Sequence, residues 1–262
     1  PLTRYYKDKI EAEYSGVIQM DTYGGEYGMF VLNMRNNYTR GASPGETPGG
    51  GPAPGGQYYC PGYLSGYRHA IAHIVDRDYI VDVIVGGLGE KLYTHIGPIY
   101  GGFNLDVGTI PDPDDPISTG TLRHEFSIAK ANAILDAAGI VDGPDADDWR
   151  EWPSGHPYAG QNLNVQFFYR TDHALRTKVW EFLEPIMKNN LKIQVTSFGG
   201  TSAYCNLWYM TDKKGDMLTA GWSLGSDPDQ EYGLYHSEMY WHPGWCPNYN
   251  NVNDAEFDQW SF

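Results

Sequence analysis

The pattern of apolar and polar positions predicts a strand–helix–strand unit in the middle of the chain. Residues 163–169 and 191–198 alternate with a period of two, which is typical of strands. Between them, apolar residues of 172–189 recur at helical spacing, namely Leu175, Val179, Phe182, Leu183, Ile186 and Met187. The joints are short, so the two strands should be parallel with a right-handed crossover. Thr171 or Asp172 is the predicted helix N-cap, and Pro185 should kink the helix near its end.

Further patterned segments place the chain in the α/β class. Strands are predicted at 17–22, 29–34 and 216–222, and helices at 67–85 (in two pieces), 125–138 and 202–211. Glycines should end two of these helices, at 86–87 and at 139. Two stretches rich in Gly, Pro and Asp, 41–56 and 95–116, are predicted to be surface loops.

The strand 216–222 is the first candidate for a functional element. It ends in Gly221 and Trp222 and leads into a loop of small and acidic residues. Within that loop Pro228 fixes its own φ and restricts Asp227, so the loop should be stiff. Polar loops at strand ends are where α/β proteins bind ligands. A surface turn beside a buried tryptophan explains the same residues equally well.

Composition narrows the classes of partner. The net charge of −15 argues against nucleic acid, because phosphate binding requires basic surface. No apolar run reaches the roughly 18 residues of a transmembrane helix. Aromatic residues make up 15%, with 21 Tyr and 8 Trp. Flat rings with polar tips suit peptide and sugar sites, and they also fill cores.

Cysteine and histidine spacing predicts neither a metal site nor a cofactor. Cys60, Cys205 and Cys246 lie too far apart for a zinc motif or a disulfide framework. One bridge and one thiol remain possible, with the pairing open. The steps between His236, His242 and Cys246 fit no standard metal site.

Six stretches, taken in order, resemble the extracytoplasmic solute-binding proteins of ABC importers of the large peptide/nickel type. They are YRHAIAHIVDRDYIV at 67–81, the Gly-rich run at 86–98, AILDAAG at 133–139, the βαβ unit with LKIQV at 191–195, GWSLGSDPD with His236-Ser237, and 248–257. The resemblance extends over residues 15–260.

This resemblance implies a periplasmic-binding-protein-like lobe of type II, with a mixed sheet. Residues 1–40 should hold the end of a first lobe and a crossing strand, 41–58 a Gly/Pro-rich loop, and 59–262 a second lobe, incomplete at its C-terminus. The resemblance also implies a function without catalysis, in which an oligopeptide or similar solute binds between lobes and passes to a membrane permease. The resemblance further implies an extracytoplasmic location, with attachment to the membrane through an anchor that is not part of this chain.

The resemblance also implies a set of ligand-binding residues. They are Tyr204, Trp222, Ser223, Leu224, Gly225 and Asp227. Peptide binders of the family carry an aspartate for the ligand's amine where this chain has Gly225. Asp227 could replace that aspartate, the main chain could hold a longer peptide, or the ligand could be an oligosaccharide. A carbohydrate-active enzyme using Asp227 and Asp229 is the alternative of another class, although carboxylates two residues apart seldom face each other across a sugar ring.

Overall fold

A computed structural model describes residues 26–32, 37–39, 57–94, 96, 100, 106–112, 115, 117, 120–143, 147–211, 215–223, 230–241 and 255–260. The predicted strand 17–22 and the predicted loop 41–56 lie outside these residues. Within the described part of the chain, no helix has the length and apolarity needed to cross a bilayer.

A four-stranded mixed sheet forms the centre of the fold. Its strands are β1 (Glu26–Leu32), β4 (Asn164–Arg170), β5 (Gln194–Gly200) and β6 (Met217–Ser223), in the order β1-β6-β4-β5. β4 runs parallel to both β5 and β6, whereas β1 is antiparallel to β6. A separate two-stranded sheet joins β2 (Asn37–Thr39) to β3 (Gln57–Tyr59).

The predicted βαβ unit is confirmed, with one correction at the helix start. β4 and β5 are parallel, and α4 (Ala174–Pro185) lies between them in sequence. After Pro185 the helix continues in π register over Ile186–Asn190. The N-cap is His173, whose Nδ1 accepts from the Arg176 N–H, so the prediction of Thr171 or Asp172 was wrong. The carboxylate of Asp172 instead accepts from the backbone N–H of Ser202, at the start of another helix.

Four of the remaining helices follow predicted segments with shifted ends, and the last two were not predicted as helices. They are α1 (Ser65–Ile74), α2 (Arg77–Tyr79, continued in π register over Ile80–Ile84), α3 (Ile128–Ala137), α5 (Ser202–Cys205, continued over Asn206–Thr211), α6 (Gln230–Tyr235) and α7 (Ala255–Trp260). Asp76 separates α1 from α2, because its side chain accepts from the Tyr79 N–H and caps α2. α3 begins three residues later than predicted because Ser127 is its N-cap, and Gly139 follows it at φ +73.

Two apolar clusters cover the two faces of the sheet. The larger includes side chains of α1, α3 and α4 together with Val165, Phe167, Val195 and Met217 of the strands. The smaller contains Phe168, Cys205, Tyr209, Leu218, Ala220 and Leu234. Neighbours in a strand, such as Phe167 and Phe168, thus enter different clusters, as the period of a strand requires. Burial on both faces accounts for apolar neighbours such as Phe167-Phe168 and Met217-Leu218, and the polar Gln166 and Thr219 are buried beside them.

One predicted surface loop is partly buried. Four of the described residues within 95–116 are buried, namely Tyr100, Val107, Asp112 and Asp115. A stretch rich in Gly, Pro and Asp predicts exposure, because buried carboxylates require partners. Asp115 has one in Lys130, at 3.5 Å, and Asp112 has two histidines within hydrogen-bond distance. The expectation of a surface loop was therefore wrong for these residues.

Candidate functional site

Three parallel strands end side by side at one edge of the sheet. Because β4, β5 and β6 point the same way, their carboxyl ends lie together. We call this region the carboxyl edge and define it as Arg170, Asp172, Arg176, residues 200–204 and residues 221–223. Ligands of α/β proteins bind at such edges, since loops and helix starts gather polar groups there.

Asp172 is the fixed anionic group of the carboxyl edge. Its Oδ1 accepts from Arg170 Nε at 2.8 Å, and its Oδ2 accepts from the backbone N–H of Ser202 at 3.0 Å. These bonds favour the ionised form, with the one from Arg170 the largest cause, and lower the pKa of Asp172 to about 2. Asp172 is therefore a carboxylate at any physiological pH, and it ties the end of β4 to the start of α5.

Tyr204 lies in α5, half-buried above the end of β5. Thr201 caps this helix by accepting from the Tyr204 N–H. The ring packs against Phe168 and Trp208, with centroids 6.3 Å away in each case. A Cβ on Gly200 would collide with the Tyr204 ring, so glycine permits this close approach of strand and ring. Tyr204 is therefore a partly exposed aromatic side chain, and its role in ligand binding stays a prediction.

Gly221 and Trp222 lie at the end of β6, as predicted. In the β1–β6 ladder Tyr27 faces Trp222 and Gly28 faces Gly221. β6 pairs with β4 only at Met217 and Leu218. Arg176 Nη2, from the first turns of α4, donates to the Gly221 carbonyl at 3.3 Å. The side chains of Trp222 and Ser223, and all of Leu224, Gly225, Asp227 and Asp229, lie outside the described residues.

Cys60, Cys205 and His236, which the sequence analysis considered as metal ligands or disulfide partners, are all buried. Cys60 and Cys205 are buried, and burial raises the pKa of the Cys205 thiol to about 11. His236 is buried, and its Nδ1 accepts from the Glu238 N–H at 3.1 Å. His242 and Cys246 lie outside the described residues.

Folding also brings together three residues that sequence reasoning missed. Donor atoms of His69, Asp112 and His124 lie within 4.8 Å of one another. Their sequence separations are 43 and 12 residues, which no metal-binding spacing rule covers. Only tertiary structure identifies this group.

Solved structures with the same fold are bacterial solute-binding proteins. The oligopeptide-binding protein AppA from Bacillus subtilis, in complex with a nonapeptide, has a TM-score of 0.67 and 19% identity over 97% of this chain and 41% of its own. The Escherichia coli murein tripeptide binding protein MppA has a TM-score of 0.61 and 16% identity over 98% and 40%. NikA from Brucella suis, in complex with Fe(III)-EDTA, has a TM-score of 0.57 and 18% identity over 97% and 40%.

These comparisons define a periplasmic-binding-protein fold of type II, in the peptide-binding class, of which this chain spans about two fifths. Residues 12–238 match the family described as "Bacterial extracellular solute-binding proteins, family 5 Middle", and the chain belongs to that family. A search of curated proteins found no match. The resemblance seen in the sequence and the predicted fold class are both confirmed.

Proposed function

We propose that the carboxyl edge is one wall of an inter-lobe cleft that binds an oligopeptide or a similar solute. In this proposal residues 1–40 belong to the first lobe and its crossing strand, 41–58 to a Gly/Pro-rich loop, and 59–262 to the second lobe. The bound solute is delivered to an ABC permease. The protein is located outside the cytoplasm, where an anchor attaches it to the membrane. No bond of the solute is broken, in keeping with a family of binding proteins.

The observation that most supports a peptide ligand is that one side of β6 lacks a partner strand over its last five residues, among the described strands. Among the strands that the structure describes, β6 has ladder partners on both sides at Met217 and Leu218, whereas from Thr219 to Ser223 it pairs with β1 alone. An extended peptide can add to such a strand through its main-chain N–H and C=O groups. A sugar has no repeating amides to match, so this edge favours a peptide over an oligosaccharide.

Side chains around the open strand supply the other elements of recognition. In this proposal Trp222 and Tyr204 provide rings for ligand side chains, together with Ser223 at the end of β6 and with Leu224, Gly225 and Asp227, which follow it in sequence. Arg176, already hydrogen-bonded to Gly221, brings a guanidinium to the same edge. A guanidinium fork matches a peptide carboxylate or carbonyl. Main-chain pairing of this kind does not require an aspartate at position 225.

Calorimetric titration of the protein that contains this chain tests the proposal. The probes are synthetic peptides of increasing length, maltose and cellulose oligosaccharides, and Ni²⁺ with histidine. We expect binding of peptides, and N-methylation of the peptide amides that pair with β6 should weaken binding by about tenfold each, because each change removes one hydrogen bond. N-methylation at alternate positions, which point away from the strand, is the control.

Variants separate the peptide reading from its rivals. Trp222→Ala and Tyr204→Ala should weaken peptide binding, whereas Tyr63→Ala, at a tyrosine that is 51% exposed and outside the carboxyl edge, should not. Oligosaccharide binding without peptide binding would favour an oligosaccharide-binding member of the family. Turnover of a glycoside that Asp227→Asn abolishes would instead establish the carbohydrate-active enzyme and refute the proposal.

A further inference from the structure

His69, Asp112 and His124 form a compact group, which we call the His–Asp–His cluster, and it shares no residue with the carboxyl edge. His69 lies on α1, Asp112 in the segment after the turn Val107–Thr109, and His124 before α3. The side chains are largely buried, with exposed fractions of 11% for His69, 4% for Asp112 and 17% for His124. A mostly buried group of two imidazoles and one carboxylate requires a chemical explanation.

Two of the three donor separations in the cluster are close to those of a four-coordinate metal site. His69 Nε2 lies 2.9 Å from Asp112 Oδ2, and His124 Nε2 lies 3.2 Å from the same oxygen. Bonds of about 2.0 Å from Zn²⁺ to nitrogen or oxygen in tetrahedral geometry separate neighbouring ligand atoms by about 3.3 Å. The observed separations lie within a few tenths of an ångström of that value.

Hydrogen bonding orients a lone pair of His69 towards Asp112. His69 Nδ1 lies 2.8 Å from the carbonyl oxygen of Ser65, which can only accept, so Nδ1 carries the hydrogen. In a neutral imidazole the other nitrogen, Nε2, is then an acceptor, and it faces the carboxylate oxygen of Asp112. Two acceptors at this distance repel unless a proton on Nε2 or a metal cation lies between them, and the zinc titration described below distinguishes the two. A bond from Nδ1–H to a carbonyl is also the usual outer-shell partner of a metal-binding histidine.

The backbone that carries the ligands is held in place by other bonds. The N–H of Asp112 donates to the Gly120 carbonyl, and the N–H of Leu122 donates to the Ile110 carbonyl. Arg77 Nη1 donates to the His124 carbonyl at 3.0 Å. The donor atoms are therefore positioned before any ion binds, which lowers the cost of assembling a site.

His73, one turn after His69 on α1, packs against the ring of His124, the second imidazole. It is buried, its Nδ1 lies 2.7 Å from the Glu125 carbonyl, and its ring meets that of His124 edge-on at 5.0 Å. The nearby carboxylate of Asp115 is matched by Lys130 at 3.5 Å, which leaves Asp112 as the anion of the cluster. His73 is not one of the three residues whose donor atoms converge, so it packs beside the proposed site and is not assigned as a ligand.

We propose that His69 Nε2, His124 Nε2 and Asp112 Oδ2 bind one divalent transition-metal ion, with Zn²⁺ as the expected occupant and water in the fourth position. Imidazole with a carboxylate is a donor set typical of zinc, whereas Mg²⁺ and Ca²⁺ prefer oxygen ligands. The ion joins α1 to the segment before α3, so it acts as a structural crosslink. This proposal does not rest on the proposed solute-binding function.

Zinc titration of the EDTA-dialysed protein tests the site by calorimetry and by thermal unfolding. We expect one Zn²⁺ per chain and a higher melting temperature with Zn²⁺, because an ion that binds only the folded state stabilises it. Co²⁺ should give the visible absorption bands of a four-coordinate site with nitrogen and oxygen ligands. His69→Gln, His124→Gln and Asp112→Asn should each weaken binding by at least about tenfold, since each removes a ligand.

A matched control and a variant-free measurement keep the test decisive. His173→Asn changes a histidine outside the cluster and keeps a side chain able to cap α4, so binding should be unchanged. No uptake of Zn²⁺ by the unaltered protein, or uptake undiminished by Asp112→Asn and His69→Gln, would overturn the proposal and leave an ion-paired cluster. If a variant fails to fold, the Co²⁺ spectrum of the unaltered protein decides, since saturating Co²⁺ without visible bands also refutes the site.

Discussion

Replacing Arg150 should strongly destabilise the fold, because one buried guanidinium connects three segments. Its Nε donates to the Leu191 carbonyl at 2.9 Å, its Nη1 to the Ile140 carbonyl and to Asp136 Oδ1, and its Nη2 to Asn132 Oδ1 at 3.0 Å. α3 and the chain after it are thereby joined to the end of the helical segment that follows α4. No hydrophobic side chain could satisfy this set of acceptors.

The size of the effect follows from burial. Arg150→Met keeps the aliphatic stem but removes the donors to two carbonyls of fully buried residues, Ile140 and Leu191. Losing the partner of a buried polar group costs about 1–3 kcal/mol each. The ion pair with Asp136 adds less, because that carboxylate is 60% exposed and screened by water. The loss of the two carbonyl partners should therefore lower the free energy of unfolding by about 2–6 kcal/mol.

Urea unfolding followed by circular dichroism measures this loss. Arg150→Lys should recover part of it, because an ammonium can reach some of the acceptors but lacks the planar fork. Asp136→Asn is the matched control and should cost under about 1 kcal/mol. The reasoning is refuted if Arg150→Met unfolds within 1 kcal/mol of the unaltered protein, or if Asp136→Asn is as costly as Arg150→Met.

Two further predictions concern a glycine and a carboxylate. Gly215→Ala should lower the free energy of unfolding by about 2–4 kcal/mol, because its φ is +99 and a Cβ would lie 2.6 Å from the Phe168 ring. Gly155→Ala, at φ +88 with nothing within 4 Å of its Cβ, should lose only about 1 kcal/mol, and equal losses in urea unfolding would contradict the clash. The lowered pKa of Asp172 contributes stability that is present above its ordinary pKa of 3.8 and is lost as pH falls through about 2. The stability advantage of the unaltered protein over Asp172→Asn should therefore fade between those pH values in acid unfolding, and an advantage that persists at pH 2 would be inconsistent with it.

Local patterns predicted the elements but not their ends. The period of the apolar residues predicted β4, α4 and β5. The short joints between them predicted that β4 and β5 are parallel, as observed. The helix cap was assigned to Thr171 or Asp172 because both are good cap residues, yet His173 takes that position. Asp172 was unavailable because its carboxylate bonds Arg170 and the distant N–H of Ser202. A cap depends on which bonds compete for a side chain, and that competition is set in three dimensions.

The sequence by itself determined the α/β class, the family and the position of Gly221-Trp222 at a strand end, because those features reside in local periodicity and in short ordered motifs. Tertiary structure alone decided the order of the strands and the point, after Leu218, at which β6 stops pairing with β4. It also decided that Asp112 is buried. It alone joined His69, Asp112 and His124, which come from separate segments of the chain. The physical reason is that contacts between distant segments depend on how helices and strands pack, and spacing along the chain does not encode them.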